Sequence, residues 1–224
     1  MQDVLEDNDL PRAAIQLVEV LDREAVSVLL QQRRYIDVVI PRGGAGLIQR
    51  VVRDSMIPVI ETGSGVCHTY VDAEANIDMA VDIAVNAKVQ RPSVCNSMET
   101  LLVHKSIAPK FLLALDSKLE IHHVTIHGTP DVLQIVKGIA VDEHSFSTEY
   151  NDLDLNVAIV SSVDEAISHI NQYTTHHSEA IVTDNMKTAQ HFMNLIDCST
   201  VYHNASTRFT DGFEFGFGAE IGIS

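Results

Sequence analysis

The chain has 224 residues, 46% of them hydrophobic, enough to bury the core of one large or two modest domains. Its formal net charge of −16, from 15 basic and 31 acidic residues, excludes the surplus of Lys and Arg that nucleic acid or an anionic membrane would require, so an anionic ligand must meet individually placed cations such as Arg42, Arg91 or Arg208. Cys67, Cys95 and Cys198 make no disulfide framework, and no stretch reaches the roughly 18 apolar residues of a membrane span, so the expectation is a soluble protein of the reducing cytoplasm.

In chain order, hydrophobic periodicity predicts a strand over residues 15–20, a helix over 23–33 capped by Asp22, and a buried strand over 36–40, which together make a β-α-β unit. The turn Pro41-Arg42-Gly43-Gly44-Ala45-Gly46 follows, then a helix over 47–53 and a short strand at Val59 and Ile60. A strand is expected over 67–71, a helix over 76–88 with Ile77, Ala80, Val81, Ala84 and Val85 on one side, and a strand over 100–103. Beyond it come a helix over 108–119 and strands over 122–126 and 155–160. A helix over 164–170, a strand over 180–183, a helix over 186–195 and a strand over 200–203 precede an irregular tail rich in Gly and Phe. This alternation predicts an α/β fold on a mostly parallel sheet. The chain enters its first β-α-β unit without the strand and Gly-rich turn that open a nucleotide-binding domain, and it stops at Ser224 without a closing helix; it reads as an excerpt of a longer protein.

Cys95 follows the helix over 76–88 among polar neighbours, where backbone N–H groups could stabilise a thiolate and an oxyanion, although a free cysteine also serves as a small buried hydrophobe. Packing is the expectation for Cys67 and Cys198. Glu61, at the mouth of the strand around Val59, is a candidate general base for water or a solvated carboxylate. Arg42-Gly43-Gly44, between a strand and a helix, suits an anion at a helix N-terminus, but such turns also arise for steric reasons. Among the eleven histidines, His122-His123 would point to opposite faces of a strand and His176-His177 lie in a turn. Neither pair has the spacing of metal ligands, so structural or solvated histidines are expected. The segment from Asn204 through Ser206, Thr207 and Arg208 to Gly212 joins an amide, hydroxyls and a cation after a strand, as a carboxylate or phosphate grip would.

These segments together resemble the γ-glutamyl phosphate reductases (glutamate-5-semialdehyde dehydrogenases) of proline biosynthesis, a branch of the aldehyde dehydrogenase superfamily. The resemblance runs through the stretch from Ile36 to Gly44, through Gly65-Val66-Cys67-His68-Thr69-Tyr70-Val71-Asp72, and through Asn86-Ala87-Lys88-Val89-Gln90-Arg91-Pro92-Ser93-Val94-Cys95-Asn96. It continues in Glu99-Thr100-Leu101-Leu102 and from Asn204 through Phe215-Gly216-Phe217-Gly218-Ala219-Glu220, covering essentially the whole chain. It implies an aldehyde-dehydrogenase-like fold, with part of a Rossmann-like cofactor domain over residues 1–62, an α/β catalytic domain over 63–212, and a return segment over 213–224 towards the cofactor domain. It also implies NADPH as hydride donor, γ-glutamyl phosphate and glutamate-5-semialdehyde as substrate and product, no nucleic-acid or membrane partner, and assembly into a homo-oligomer. Cys95 falls on the family's nucleophile; Arg42, Gly43 and Gly44 fall on the turn bordering the cofactor, and Glu149 near the carboxylate that contacts the nicotinamide ribose. Asn96, Ser206, Thr207 and Arg208 are the substrate-binding candidates. Glu61 aligns with the deacylating base of oxidative members, yet Thr62-Gly63-Ser64-Gly65 departs from their Leu-Gly-Gly-Lys. A reductase must keep water from its thioester until hydride arrives, so a strong base there would be wasteful. Two other readings stand beside this one: an oxidative aldehyde dehydrogenase using Glu61, and a module that only folds or associates. The family's amino-terminal strands and oxyanion-hole asparagine have no counterpart in the chain, so catalysis by these residues alone is expected to be impaired.

Overall fold

The computed structural model describes residues 2–61, 63–142 and 144–218, apart from the side chain of Ala45. The chain forms two compact units, Met1–Glu61 and Thr62–Ser224.

The first unit holds helices α1 (Gln2–Asp7), α2 (Glu24–Leu29) and α3 (Ala45–Asp54). Leu30, Val51 and Ile57 are buried in it. The strand expected over 15–20 is not formed; its apolar residues alternate, but no strand pairs with them among the described residues, and Leu17 is 84% exposed. The strand expected over 36–40 shrinks to one parallel bridge, Val39 to Val59, with the Val39 N–H on Pro58 O at 2.9 Å and the Ile60 N–H on Val39 O at 2.8 Å. Asp22 does accept the Glu24 N–H at 2.9 Å, but α2 closes at Leu29. The polar run Gln31-Gln32-Arg33-Arg34 that follows offers no apolar residue to extend its inner face.

The second unit alternates β1 (Cys67–Val71), α4 (Ile77–Val89), β2 (Met98–His104), α5 (Ala108–Ile121), β3 (Thr125–Gly128), β4 (Ile139–Ala140) and β5 (Asp154–Val160). It continues with α6 (Val163–Tyr173), β6 (Ser178–Val182), α7 (Met186–Leu195) and β7 (Thr200–His203). The seven strands form one sheet in the order β4-β3-β5-β2-β1-β6-β7, every pair parallel. Helices cover both faces, which is why β1 and β6 are buried along their whole length rather than alternately. Phe111, Leu112, Leu115 and Leu119 of α5 pack with Ala84 of α4 on Leu101, Val103, Leu155 and Val157. Tyr70, Leu102, Val160 and Ile181 meet Ile167, Ile170 and Phe192 in a second cluster. Each of the Val, Leu, Ile and Phe side chains among them contributes roughly 1.5–3 kcal/mol by leaving water.

Helix starts follow the caps in the sequence. The Asn76 side chain accepts the Met79 N–H at 3.1 Å, Ser162 takes the Glu165 N–H at 3.2 Å, and Asn185 takes the Lys187 N–H at 3.0 Å. The strand expected over 122–126 begins later. Helix α5 runs to Ile121, His123 adopts φ 59°, and β3 opens at Thr125, so His122 and His123 lie in a helix-ending turn instead of on opposite strand faces. Between β1 and β2 the register slips, Cys67 facing Met98 and His68 facing Thr100, which leaves Glu99 as the extra residue of a bulge. Its carboxylate meets Lys88 Nζ of α4 at 2.9 Å in full burial. Residues 212–216 form turns, and Ala219 and Glu220, with the rest of the return segment to 224, lie outside the described residues.

Candidate active site

Helix α4 ends at Val89, and Pro92, two residues past the capping Gln90, prevents its continuation. The chain then makes a turn that carries Cys95 and is closed by the Ser97 N–H on Val94 O at 2.9 Å before β2 starts. Cys95 is thus held exposed at the N-terminal end of a central strand.

The neighbouring strands complete its surroundings. Gly65, just before β1, packs so closely that a Cβ built on it would lie 1.7 Å from Cys95 O, so only glycine allows this approach. Its N–H is held by Glu149 Oε1 at 2.7 Å. From β1 the Cys67 thiol donates to Cys95 O at 3.2 Å. Burial, aided by Glu179, pushes the Cys67 thiol well above the usual range, and burial pushes Cys198 up to about 12. Both therefore stay protonated, and Cys95 is the exposed thiol of the three.

One strand further, the residue before β6 is His177. Its buried ring places Nε2 3.1 Å from Cys95 Sγ and Nδ1 2.9 Å from Ser178 Oγ. Ser178 Oγ lies 2.7 Å from Thr210 Oγ1, which is 2.9 Å from Tyr202 OH. Of the His176-His177 pair, expected to be structural or solvated, His177 is buried rather than solvated and its ring stands beside the thiol. The signal available in the sequence was its place just before a strand, as Cys95 is, but strand order alone brings β2, β1 and β6 side by side.

The loop after β7 closes the other side. Thr207 Oγ1 donates to Asn96 O at 2.7 Å, and Asn96 Nδ2 donates to Thr210 O at 2.8 Å. The Arg208 guanidinium donates through one terminal nitrogen to Asn96 Oδ1 and through Nε to Gln90 Oε1 at 2.8 Å. Ser206 Oγ accepts the Arg208 N–H at 3.2 Å. Burial, and then the charge of Arg91, lower the Arg208 pKa, while Cys95 and Asp211 act in the opposite sense. Arg208, which interacts with the thiol, is therefore braced against Asn96, the residue next to it. Cys95, Asn96, Ser206, Thr207 and Arg208, predicted from different parts of the sequence, form one cluster, and Glu149 reaches it through Gly65.

Arg42, Gly43, Gly44 and Glu61 belong to the first unit. Gly44 is the N-cap of α3 and no side chain caps that helix. Neither Gly44 nor Gly46 has a heavy atom within 4 Å of where a Cβ would stand, which leaves open space beside the backbone at the start of α3. Glu61 is exposed. Among the described residues no group of three or more His, Cys, Asp and Glu is disposed to hold a metal ion, and no helix is long and apolar enough to cross a membrane.

Residues 1–132 match the aldehyde dehydrogenase family profile. The chain is 56% identical over 215 residues to the γ-glutamyl phosphate reductase of Moorella thermoacetica, covering 96% of this chain and 51% of that protein. The crystal structure of γ-glutamyl phosphate reductase from Thermotoga maritima superimposes with a TM-score of 0.94 at 45% identity, over 100% of this chain and 54% of that one. An engineered glycolyl-CoA reductase with bound NADP+ shares the fold at a TM-score of 0.73 and 19% identity, over 100% of this chain and 58% of that one. The chain spans about half the length of the curated relatives it matches.

Proposed function

The chain belongs to the aldehyde dehydrogenase family, and from that membership we propose that it carries the thiol centre of a γ-glutamyl phosphate reductase acting in proline biosynthesis in the cytoplasm. The observation that carries the proposal is the Cys95 turn: an exposed thiol 3.1 Å from an imidazole, bordered by Asn96 and a guanidinium. Cys95 Sγ attacks the γ-acyl carbon of γ-glutamyl phosphate, the bond from that carbon to the phosphate oxygen breaks, and a thioester remains on Cys95. Arg208, braced by Asn96 and Gln90 and flanked by Ser206 and Thr207, holds a substrate anion.

Residues 1–62 act as part of a cofactor-binding domain, 63–212 as the catalytic domain and 213–224 as the return segment. The residues present fit a dinucleotide: Arg42, Gly43 and Gly44 lead into the uncapped N-terminus of α3 with open space beside Gly44, a donor set suited to a pyrophosphate. Glu149 would hold the ribose with the carboxylate oxygen not engaged by Gly65. When bound, NADPH would supply the hydride that releases glutamate-5-semialdehyde from the thioester. The intact protein works as a homo-oligomer.

The test is NADP- and phosphate-dependent oxidation of glutamate-5-semialdehyde, the reverse reaction, in the intact protein. Cys95→Ala is expected to lose activity by roughly 10⁴-fold or more. Full activity in that variant would overturn the proposal.

A further inference from the structure

Acylation of a thiol by an acyl phosphate moves a proton as well as a bond. The thiol starts as S–H, and the phosphate that leaves must carry one more proton than it did in the ester. The resemblance to oxidative aldehyde dehydrogenases directs attention to Glu61, whereas a histidine lies 3.1 Å from the sulfur.

We infer that His177 is the acid–base residue of the Cys95 thiol, and that the hydroxyl chain Ser178–Thr210–Tyr202 positions it. This rests on the reading of Cys95 as the nucleophile of an acyl phosphate. His177 Nε2 lies 3.1 Å from Cys95 Sγ, within reach of proton transfer, and the ring is only 6% exposed, so it is fixed and not a surface side chain that happens to lie near. The far nitrogen, Nδ1, is 2.9 Å from Ser178 Oγ. With Nδ1–H donating to Ser178, Ser178 to Thr210 and Thr210 to Tyr202, Nε2 carries the lone pair and accepts the thiol proton. The chain of three hydroxyls has the office that a carboxylate has in a catalytic triad, but without its charge.

The balance closes. The S–H bond breaks and its proton passes to Nε2. Sulfur bonds to the acyl carbon, the carbon–oxygen bond to phosphate breaks, and the imidazolium returns the proton to the leaving phosphate oxygen. NADPH, when bound, would supply the hydride; once the thioester is reduced and the carbon–sulfur bond breaks, a proton taken up from solvent would restore the thiol through the same ring.

The charged and titratable groups around this pair come from several elements. Arg208, from the loop after β7, and Cys67, from β1, interact with Cys95; Arg91, just past α4, and Asp211 act on Arg208, and Glu179 of β6 acts on Cys67. Glu179 is engaged by the His68 N–H, His68 Nδ1 and the Thr174 hydroxyl. The attraction between Arg208 and Cys95 favours the thiolate.

Alkylation of Cys95 by iodoacetamide, followed against pH and localised by peptide mass spectrometry, tests this without any substrate. The unsubstituted protein is expected to alkylate with a midpoint below the ~8.5 of a free thiol. In His177→Gln the midpoint should rise by about one pH unit or more, and Ser178→Ala should give a smaller rise in the same sense. In reverse turnover His177→Gln should lower kcat by roughly 10²–10⁴-fold and leave the KM for glutamate-5-semialdehyde within about threefold. Coincident alkylation profiles for the unsubstituted protein and His177→Gln would overturn the assignment, and an unshifted Ser178→Ala profile would remove the hydroxyl chain from it. Should His177→Gln fail to fold, the thiolate absorbance of the unsubstituted protein, taken as the difference from Cys95→Ser, decides: a midpoint at or above ~8.5 contradicts the assignment. A shifted alkylation profile in a protein whose turnover survives Cys95→Ala would sink the substrate reading and leave the thiol–imidazole pair intact.

Discussion

Gly65→Ala adds one methyl group where the structure has none to spare. The new Cβ would stand 1.7 Å from Cys95 O, 2.4 Å from Cys95 C and 2.6 Å from Cys95 Cα, all backbone atoms that no rotamer change can move. Ordinary contact begins at 3.4 Å, so restoring it requires about 1.7 Å of relative movement between the two backbones. That movement pulls Gly65 N–H from Glu149 Oε1, now at 2.7 Å, or pulls Cys95 O from the Cys67 thiol, now at 3.2 Å. Overpacking of this kind costs roughly 1–3 kcal/mol, and a lost hydrogen bond to the Glu149 carboxylate adds about 1.5 kcal/mol or more. The effect on chemistry is larger than the effect on stability. A nucleophile displaced by about 1 Å loses on the order of 10²-fold in rate. Thermal unfolding and Cys95 alkylation, run side by side on Gly65→Ala and Gly65→Ser, check this: both variants should melt several degrees lower, and turnover should fall by about 10²-fold or more. A Gly65→Ala protein with unchanged melting temperature and unchanged Cys95 reactivity would refute the close approach.

Two buried titrating groups give predictions about pH. Burial raises the Glu99 pKa to about 7 and lowers that of Lys88, with each charge supporting the other. Lys88→Met leaves the carboxylate alone and should cost about 3–5 kcal/mol near neutral pH, a loss that urea unfolding should find smaller near pH 5, where Glu99 takes up a proton; equal losses at both would count against it. His169, packed between His68, Phe146 and Tyr173, has its pKa lowered to about 4, chiefly by burial. A lowered folded-state value means stability fully present above the ordinary value of 6.5 and lost as pH falls towards 4, by up to ~3 kcal/mol. His169→Phe should flatten that acid limb in unfolding curves from pH 7 to pH 4, and an unaltered limb would show the loss to arise elsewhere.

The second unit was largely legible in the sequence because its signals are local. The boundaries of β1, α7 and β7 follow from apolar runs and caps that the residues themselves carry, and the helical faces over 77–89 and 108–121 repeat at the helix period. The strands expected near residues 15–20 and 36–40 failed for the complementary reason: alternation describes one strand, whereas a sheet needs a second backbone, and the sequence does not state which one. His123 was misread because a histidine at positive φ leaves no mark in hydrophobic period. In the site, Cys95 and the Ser206-Thr207-Arg208 loop could be picked out by residue type and setting, and they do adjoin through Asn96. His177 could not. It stands 82 residues from Cys95, beside a second histidine, with none of the spacings that mark ligands or bases. Its role emerges only when β2, β1 and β6 are laid in parallel and their N-terminal ends meet.

The thioester itself is the most direct object of measurement. The intact protein, given γ-glutamyl phosphate generated in place and no nicotinamide cofactor, should release one phosphate per chain in a single burst and carry one glutamyl group, which peptide mass spectrometry should locate on Cys95. Adding NADPH should discharge that group as glutamate-5-semialdehyde. Phosphate release without an adduct on Cys95, or an adduct that persists when NADPH is added, would contradict a reductase working through this thiol.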